Sequence, residues 1–116
     1  MEALQMAQIA VKALSDKKGT EIKLLKTTDL TVIADYFIIC TATSAPHIKA
    51  LTEEIDKKLS EQGIEPLHKE GYRASTWVLL DYGELVIHVF LDDTRSFYGL
   101  DRLWSDAEDI DITSFL

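Results

Sequence analysis

The chain has 116 residues, of which 47% are hydrophobic and 28% are charged, a composition typical of one globular domain. Twenty acidic residues against twelve basic ones give a net charge of −8, which disfavours direct nucleic-acid binding and favours a basic partner. Because there is no secretory signal, no membrane-length apolar run and only one cysteine, Cys40, the sequence predicts a cytoplasmic protein.

The first part of the chain predicts a helix followed by two strands. Apolar residues at helical spacing indicate a helix over residues 2–18, which Gly19 ends. A short alternating strand is predicted over residues 21–25. The most apolar strand lies within residues 32–41, and its unbroken apolar run predicts a central strand covered on both faces.

The next segment predicts a second helix with a clear start. Ser44 is suited to the N-cap position and Pro46 to the first turn. Apolar residues recur every three or four positions until Gly63, where we expect the helix to stop. Residues 65–69 then predict a short edge strand that Pro66 limits.

Residues 76–90 predict a β-hairpin, the most distinctive element of the sequence. Two strand-like runs, 77–80 and 85–90, flank the turn signal Asp81-Tyr82-Gly83-Glu84. A two-residue or a four-residue loop places Leu79 opposite Val86 and Trp77 opposite His88. A three-residue loop changes this parity, and the sequence leaves it open.

Side-chain alternation gives this hairpin two different faces. One face is entirely aliphatic and predicts a core contact. The other mixes aromatic residues, acids and a histidine, which is typical of protein interfaces, although a further helix of the same chain would also account for it. The residues of this second face are Trp77, Leu79, Asp81, Glu84, Val86, His88 and Phe90.

After the hairpin, Asp92-Asp93-Thr94 predicts a helix start. Residues 105–116 form an acidic tail without a basic residue, for which we expect a helical start and an extended or frayed end. The element order α-β-β-α-β-β-β-α predicts a single α/β domain over residues 1–116, with a mixed β-sheet and helices.

The sequence contains no strong catalytic motif. The sequence lacks a Gly-rich phosphate loop and a nucleophile elbow, and its three histidines are too scattered to predict a metal site. Ser44 and His47 stand three residues apart at a helix start, but an N-cap and a surface histidine explain them. No cofactor is predicted.

Several stretches together resemble the ribosomal silencing factor family, also called the Iojap-like proteins. They are Asp35–Cys40, Thr43-Ser44 with His47–Leu51, Glu70-Gly71, Trp77–Phe90, and Arg95 through Tyr98 to Leu103-Trp104. The resemblance implies a nucleotidyltransferase-like fold without the catalytic residues. It also implies a protein that binds the large ribosomal subunit through a basic protein of the intersubunit face, number fourteen of the large-subunit series. The bound factor would sterically block the small subunit and so repress translation.

We therefore predict a non-enzymatic translation repressor. Its candidate contact residues are Trp77, Leu79, Asp81, Tyr82, Glu84, Val86, His88, Phe90, Asp92, Asp93, Arg95 and Tyr98. Two alternatives remain at this point: a nucleotide-binding enzyme related to the nucleotidyltransferases, and a homodimeric scaffold that hides the mixed face against its own copy.

Overall fold

A computed structural model describes residues 2–27, 34–71, 76–92 and 107–116. The elements in these ranges are helices α1 (Ala3–Asp16) and α2 (Ala45–Ser60), a 3₁₀ turn (Thr113–Phe115), and the strands β1 (Thr20–Lys26), β2 (Tyr36–Ala42), β3 (His68–Gly71), β4 (Trp77–Asp81), β5 (Leu85–Leu91) and β6 (Glu108–Ile110). The helix predicted to start at Asp92-Asp93 lies, beyond Asp92, outside the described residues.

The strands form one six-stranded sheet in the order β3-β4-β5-β2-β1-β6. The central strands β2 and β5 run parallel, and every other neighbouring pair is antiparallel. β2 has buried residues on both of its faces, as its unbroken apolar run predicts. The predicted α/β class with a mixed sheet is confirmed.

Helix α1 ends where the chain passes close to β2. The amide of Gly19 donates to the carbonyl of Leu14 at 2.8 Å, which closes the last turn. A Cβ at Gly19 would lie 2.6 Å from the Cys40 sulfur, so only glycine fits this crossing. Cys40 itself is fully buried, as expected for a small hydrophobic residue in a strand.

Helix α2 begins at the predicted N-cap. The Ser44 hydroxyl accepts a hydrogen bond from the amide of His47 at 3.2 Å, and Pro46 occupies the first turn. The buried stripe of the helix matches the predicted one and consists of Ile48, Leu51, Ile55 and Leu59.

Both of these helices pack on the same face of the sheet, which we call the helix face. Their apolar stripes meet each other and the aliphatic side chains of the hairpin. The hairpin residues in this core are Val78, Leu80, Leu85, Ile87 and Val89. The prediction that the aliphatic face of the hairpin contacts the core is therefore confirmed.

The hairpin has the predicted parity but a shifted register. Trp77 lies opposite Phe90, and Leu79 lies opposite His88, so the predicted pairing is wrong by two residues. The amide of Tyr82 donates to the carbonyl of Leu85 at 2.8 Å, which leaves the two-residue turn Gly83–Glu84. Gly83 has φ +86 and stands at the first central position, where a type II′ turn requires glycine.

The acidic tail docks onto the sheet through β6, which pairs with β1 in antiparallel orientation. Glu108 lies opposite Lys26, so unlike charges face each other across this pair. Ile110, Ile112 and Phe115 pack against the core of the helix face. Residues 108–110 are extended, as predicted for the end of the tail, but they form an added strand that we did not predict, and residues 113–115 form a 3₁₀ turn. The helical start predicted at residue 105 lies outside the described residues.

None of the helices in the described ranges is long and apolar enough to cross a membrane.

Candidate protein-binding face

The candidate site is the side of the hairpin opposite the helix face, and we call it the aromatic face. It consists of Trp77, Leu79, Val86, His88 and Phe90. Val86 and Phe90 belong to a second buried apolar cluster with residues of β1 and β2, and Trp77 and Leu79 pack against that cluster. Strand alternation places these five residues together regardless of the two-residue register shift. Five of the seven residues predicted for this face thus lie together on the strands, while Asp81 ends β4 and Glu84 lies in the turn. The contact role of the face remains a proposal.

Burial divides the aromatic face into two parts. Phe90 is fully buried and Val86 is only 5% exposed, so both side chains are held inside the chain in this structure. Trp77, Leu79 and His88 are each half-buried. The part that a partner can reach directly consists of these three residues.

A hydrogen bond and two ring contacts hold Trp77 in place. The indole Nε1–H donates to His88 Nδ1 at 3.2 Å, a diagonal contact between neighbouring strands. The indole also meets Phe90 edge-on, with ring centroids 5.8 Å apart, and its centroid lies 6.0 Å from that of the His88 ring. These contacts restrict the rotamers that the indole of Trp77 can adopt.

His88 is neutral in this environment. Burial lowers its pKa from 6.5 to about 4. Because Nδ1 accepts the indole hydrogen bond, Nε2 carries the proton of the neutral ring. Nε2 is enclosed and has no acceptor in the described part of the chain. Protonation would therefore break the Trp77 contact and place a charge in an apolar site.

The acidic residues of the predicted site have different roles. An Asp81 oxygen accepts a hydrogen bond from the amide of Gly83 at 2.8 Å, so Asp81 stabilises the turn. Glu84, in the turn, and Asp92, directly after β5, are exposed. These two carboxylates lie at opposite ends of β5, where each can pair with a basic group of a partner.

Tyr82 differs from the prediction. It is 7% exposed and belongs to the core of the helix face, below α2. Burial, together with the nearby carboxylates of Asp56 and Glu65, raises the pKa of its hydroxyl above the ordinary value. Tyr82 is therefore a core residue in this structure and not a surface contact. The candidates Asp93, Arg95 and Tyr98 lie outside the described residues.

The structure adds two polar residues that we did not predict for this side of the sheet. His68 lies opposite Asp81 and Glu70 lies opposite Leu79, so both extend the aromatic face onto the edge strand β3. Their side chains form an exposed pair, with Nε2 and Oε1 2.9 Å apart. Strand alternation would have found them if the limits of β3 had been predicted correctly.

The geometry at Ser44 and His47 does not support a catalytic pair. His47 Nε2 lies 2.8 Å from the carbonyl of Lys17, which can only accept, so Nε2 carries a proton. His47 Nδ1 accepts the amide hydrogen of Thr43 at 2.9 Å. With both ring nitrogens engaged, the imidazole joins the end of α1 to the start of α2, and the Ser44 hydroxyl serves as a cap. In the ranges that the structure covers, no three metal-binding side chains converge.

Comparison with known proteins identifies the family. The family model described as "Ribosomal silencing factor during starvation" matches residues 1–116. The chain is 39% identical to the ribosomal silencing factor RsfS of Halalkalibacterium halodurans, over 97% of this chain and 96% of that protein. A mouse protein named "Mitochondrial assembly of ribosomal large subunit protein 1" is 38% identical over 61% of this chain and 32% of its own length.

A crystal structure of a Chromobacterium violaceum protein is also similar to this fold. Its TM-score is 0.86 at 36% sequence identity, and the match covers 90% of this chain and 88% of that one. The sequence and structural matches agree over nearly the whole chain, and the chain belongs to the ribosomal silencing factor family.

Proposed function

We propose that this protein is a cytoplasmic ribosomal silencing factor that binds the large ribosomal subunit and prevents the small subunit from joining it. The observation that carries the proposal is the family match over residues 1–116. The mouse relative, which is named for assembly of the ribosomal large subunit, supports the choice of subunit.

The contact surface in this proposal is the accessible part of the aromatic face. Trp77, Leu79 and His88 supply the apolar contact, with the indole already held by a hydrogen bond. Glu84 and Asp92 carry charge at the rim, where charged residues control association rate and orientation more than affinity. The net charge of −8 suits a basic partner. The proposed partner is the basic protein number fourteen of the large subunit.

The mechanism is steric and requires no chemical step. Once the aromatic face is docked on the intersubunit surface, the helices on the opposite side of the sheet extend into space that the small subunit needs. The hydrogen bonds of His47 support a non-enzymatic mechanism, because they leave Ser44 without a general base. Translation falls because fewer complete ribosomes form.

Co-sedimentation with separated ribosomal subunits tests the proposal. We expect the protein to pellet with isolated large subunits and to remain in the supernatant with isolated small subunits. Light scattering then measures subunit joining, which should slow as the protein is added to large subunits before small ones. Equal pelleting with both subunits, or unchanged joining at saturating protein, would exclude this function.

A further inference from the structure

Two enclosed oxygen atoms without hydrogen-bond partners lie between α2 and the turn of the hairpin. They are the Tyr82 hydroxyl and Asp56 Oδ1, which are both shielded from solvent and have no partner in the described part of the chain. Tyr82 as a whole is only 7% exposed. An enclosed polar atom that stays unpaired costs free energy, so two of them in one place indicate that a further group binds there. Neither oxygen belongs to the aromatic face.

The fold brings both oxygens to the helix face. Tyr82 follows Leu80 by two residues, so strand alternation turns both side chains toward the core under the helices. Asp56 comes directly after Ile55 on α2, at the border of the buried stripe. Asp56 Oδ2 accepts a hydrogen bond from Lys69 Nζ at 2.9 Å, and Lys69 lies opposite Leu80 in the sheet. Asp56 is thus held over the strands β3 and β4, about two strand residues or 7 Å from the position of Tyr82.

The electrostatic environment of Tyr82 agrees with this position. Burial raises the pKa of the Tyr82 hydroxyl, and the carboxylates of Asp56 and Glu65 raise it further. The hydroxyl therefore keeps its proton at neutral pH and can donate a hydrogen bond. Because each oxygen lacks a partner, Tyr82 and Asp56 do not bond to each other directly. The two oxygens are near enough to interact electrostatically and are separated by more than one hydrogen bond.

The two oxygens require a ligand that both donates and accepts. Asp56 Oδ1 belongs to a carboxylate that pairs with Lys69, so it only accepts, whereas the proton of the Tyr82 hydroxyl needs an acceptor. A metal cation or an ammonium group could satisfy Asp56 but cannot accept the proton of Tyr82. Within the described ranges, moreover, no three metal-binding side chains converge. Water donates and accepts, and a buried water typically bonds to about three otherwise unpaired polar groups.

We infer that one buried water molecule binds between α2 and the hairpin, where it accepts a hydrogen bond from the Tyr82 hydroxyl and donates one to Asp56 Oδ1. The carboxylate of Glu65, which the Ser60 hydroxyl holds at 2.7 Å, is the acceptor for the second proton of the water. This water fastens the turn of the hairpin to α2. Through the same Asp56 carboxylate, Lys69 fastens the edge strand β3 to that helix.

A high-resolution crystal structure of the wild-type chain tests the site without any substitution. We expect a water oxygen about 2.7–3.2 Å from both the Tyr82 hydroxyl and Asp56 Oδ1. A direct hydrogen bond between Tyr82 and Asp56, or no density between them, would overturn the inference. Crystals grown with sodium and with rubidium, which scatters more strongly, distinguish water from a monovalent cation. Density that increases with rubidium would show that a cation occupies the site.

Oxygen-17 relaxation dispersion tests the same site in solution. This method detects long-lived water oxygens and does not respond to hydroxyl protons that exchange with solvent. Tyr82→Phe removes the donor and should reduce the dispersion amplitude by the equivalent of one water molecule. Tyr36→Phe is the matched control, because Tyr36 is half-buried against the same core and its hydroxyl is not an enclosed unpaired atom. Equal amplitudes in the two variants, with thermal melts showing both folded, would contradict the inference.

Hydrogen exchange measures the effect of the water on the hairpin turn. The amide of Tyr82 donates to the carbonyl of Leu85 at 2.8 Å, so its exchange reports opening of the turn. We expect this amide to exchange about fivefold faster in Tyr82→Phe than in Tyr36→Phe, as for the loss of one buried hydrogen bond. Equal rates would show that no buried group fastens the turn to α2. All three measurements use the protein alone, so their outcome does not depend on the proposed function.

Discussion

The helix face and the aromatic face share one hairpin but differ in what holds them together. On the helix face, aliphatic side chains such as Leu80 and Ile87 are fully buried under α1 and α2. On the aromatic face, Trp77, Leu79 and His88 are only half-buried, and a hydrogen bond between Trp77 and His88 orders two of them. Alternate residues of the same strands therefore differ in burial: the helix-face set is enclosed by the two helices, whereas three residues of the other set remain partly accessible.

The largest expected effect is on the helix face. Leu80→Ala should lower the free energy of unfolding by about 2–5 kcal/mol, because the side chain is 1% exposed and would leave a cavity. Urea unfolding measures this loss. Leu67→Ala is the matched control, since Leu67 is 76% exposed and should cost almost nothing. A Leu80→Ala protein of normal stability that fails to bind large subunits would reverse the assignment of the two faces.

The second effect is a pH dependence that originates on the aromatic face. The pKa of His88 is about 4 in the folded chain and 6.5 when unfolded, so the unfolded chain takes up a proton first as the pH falls. The stability that His88 contributes is complete above pH 6.5 and disappears as the pH falls to about 4. The total change is roughly 3 kcal/mol.

Comparison with His88→Gln isolates this contribution from the titration of the carboxylates. We expect the difference in unfolding free energy between the two proteins to change steadily between pH 6.5 and 4. A difference that does not vary over this range would mean that His88 is not held neutral by the fold. Trp77→Phe removes the donor to Nδ1 and should raise the pKa of His88, which NMR titration would detect.

The third effect is on binding. Trp77→Ala should weaken binding to large subunits by about 2 kcal/mol, or roughly thirtyfold, as aromatic anchors at interfaces do. Its cost in stability should be smaller than that of Leu80→Ala, because Trp77 is only half-buried. Co-sedimentation and urea unfolding measure the two quantities. A variant that loses more stability than Leu80→Ala would show that Trp77 belongs to the core.

The smallest effect concerns the rim of the aromatic face. Glu84→Gln should slow association with large subunits by about twofold at low salt, with little change in dissociation, because an exposed carboxylate mainly steers the encounter. Stopped-flow measurements at two salt concentrations test this, with Glu53→Gln on α2 as the control. An equal effect of both substitutions would indicate that only the net charge matters.

The sequence predicted the two faces better than it predicted the register between the strands. Alternation assigned Trp77, Leu79 and His88 to one side for a two-residue or a four-residue loop, whereas the three-residue loop that the sequence left open would have changed this parity. The two-residue form of the predicted turn, with Tyr82 and Gly83 at its centre, would require positive φ at tyrosine in a type I′ turn. The observed turn places Gly83 first and avoids that cost. The preference for glycine at the first position of a two-residue type II′ turn would have predicted the observed pairing.

Other differences depend on tertiary contacts that local patterns do not reveal. The Glu-Asp-Ile sequence of β6 has low strand propensity, and its conformation follows from pairing with β1. Tyr82 is buried because it reaches the core below α2, which turn composition does not indicate. The sequence also could not show that Phe90 and Val86 would be enclosed, because enclosure depends on the packing of distant segments.

The parallel pairing of β2 with β5 has a consequence for how the chain folds. Seven residues of β2 pair in order with seven of β5, although α2, β3 and β4 lie between them in the sequence. Contacts at such separation carry a high loop-closure entropy and slow the search for the native topology. The pairing of β2 with β5 therefore cannot form until about three quarters of the chain has been synthesised. Until then, the apolar strand β2 depends on local partners for protection from aggregation.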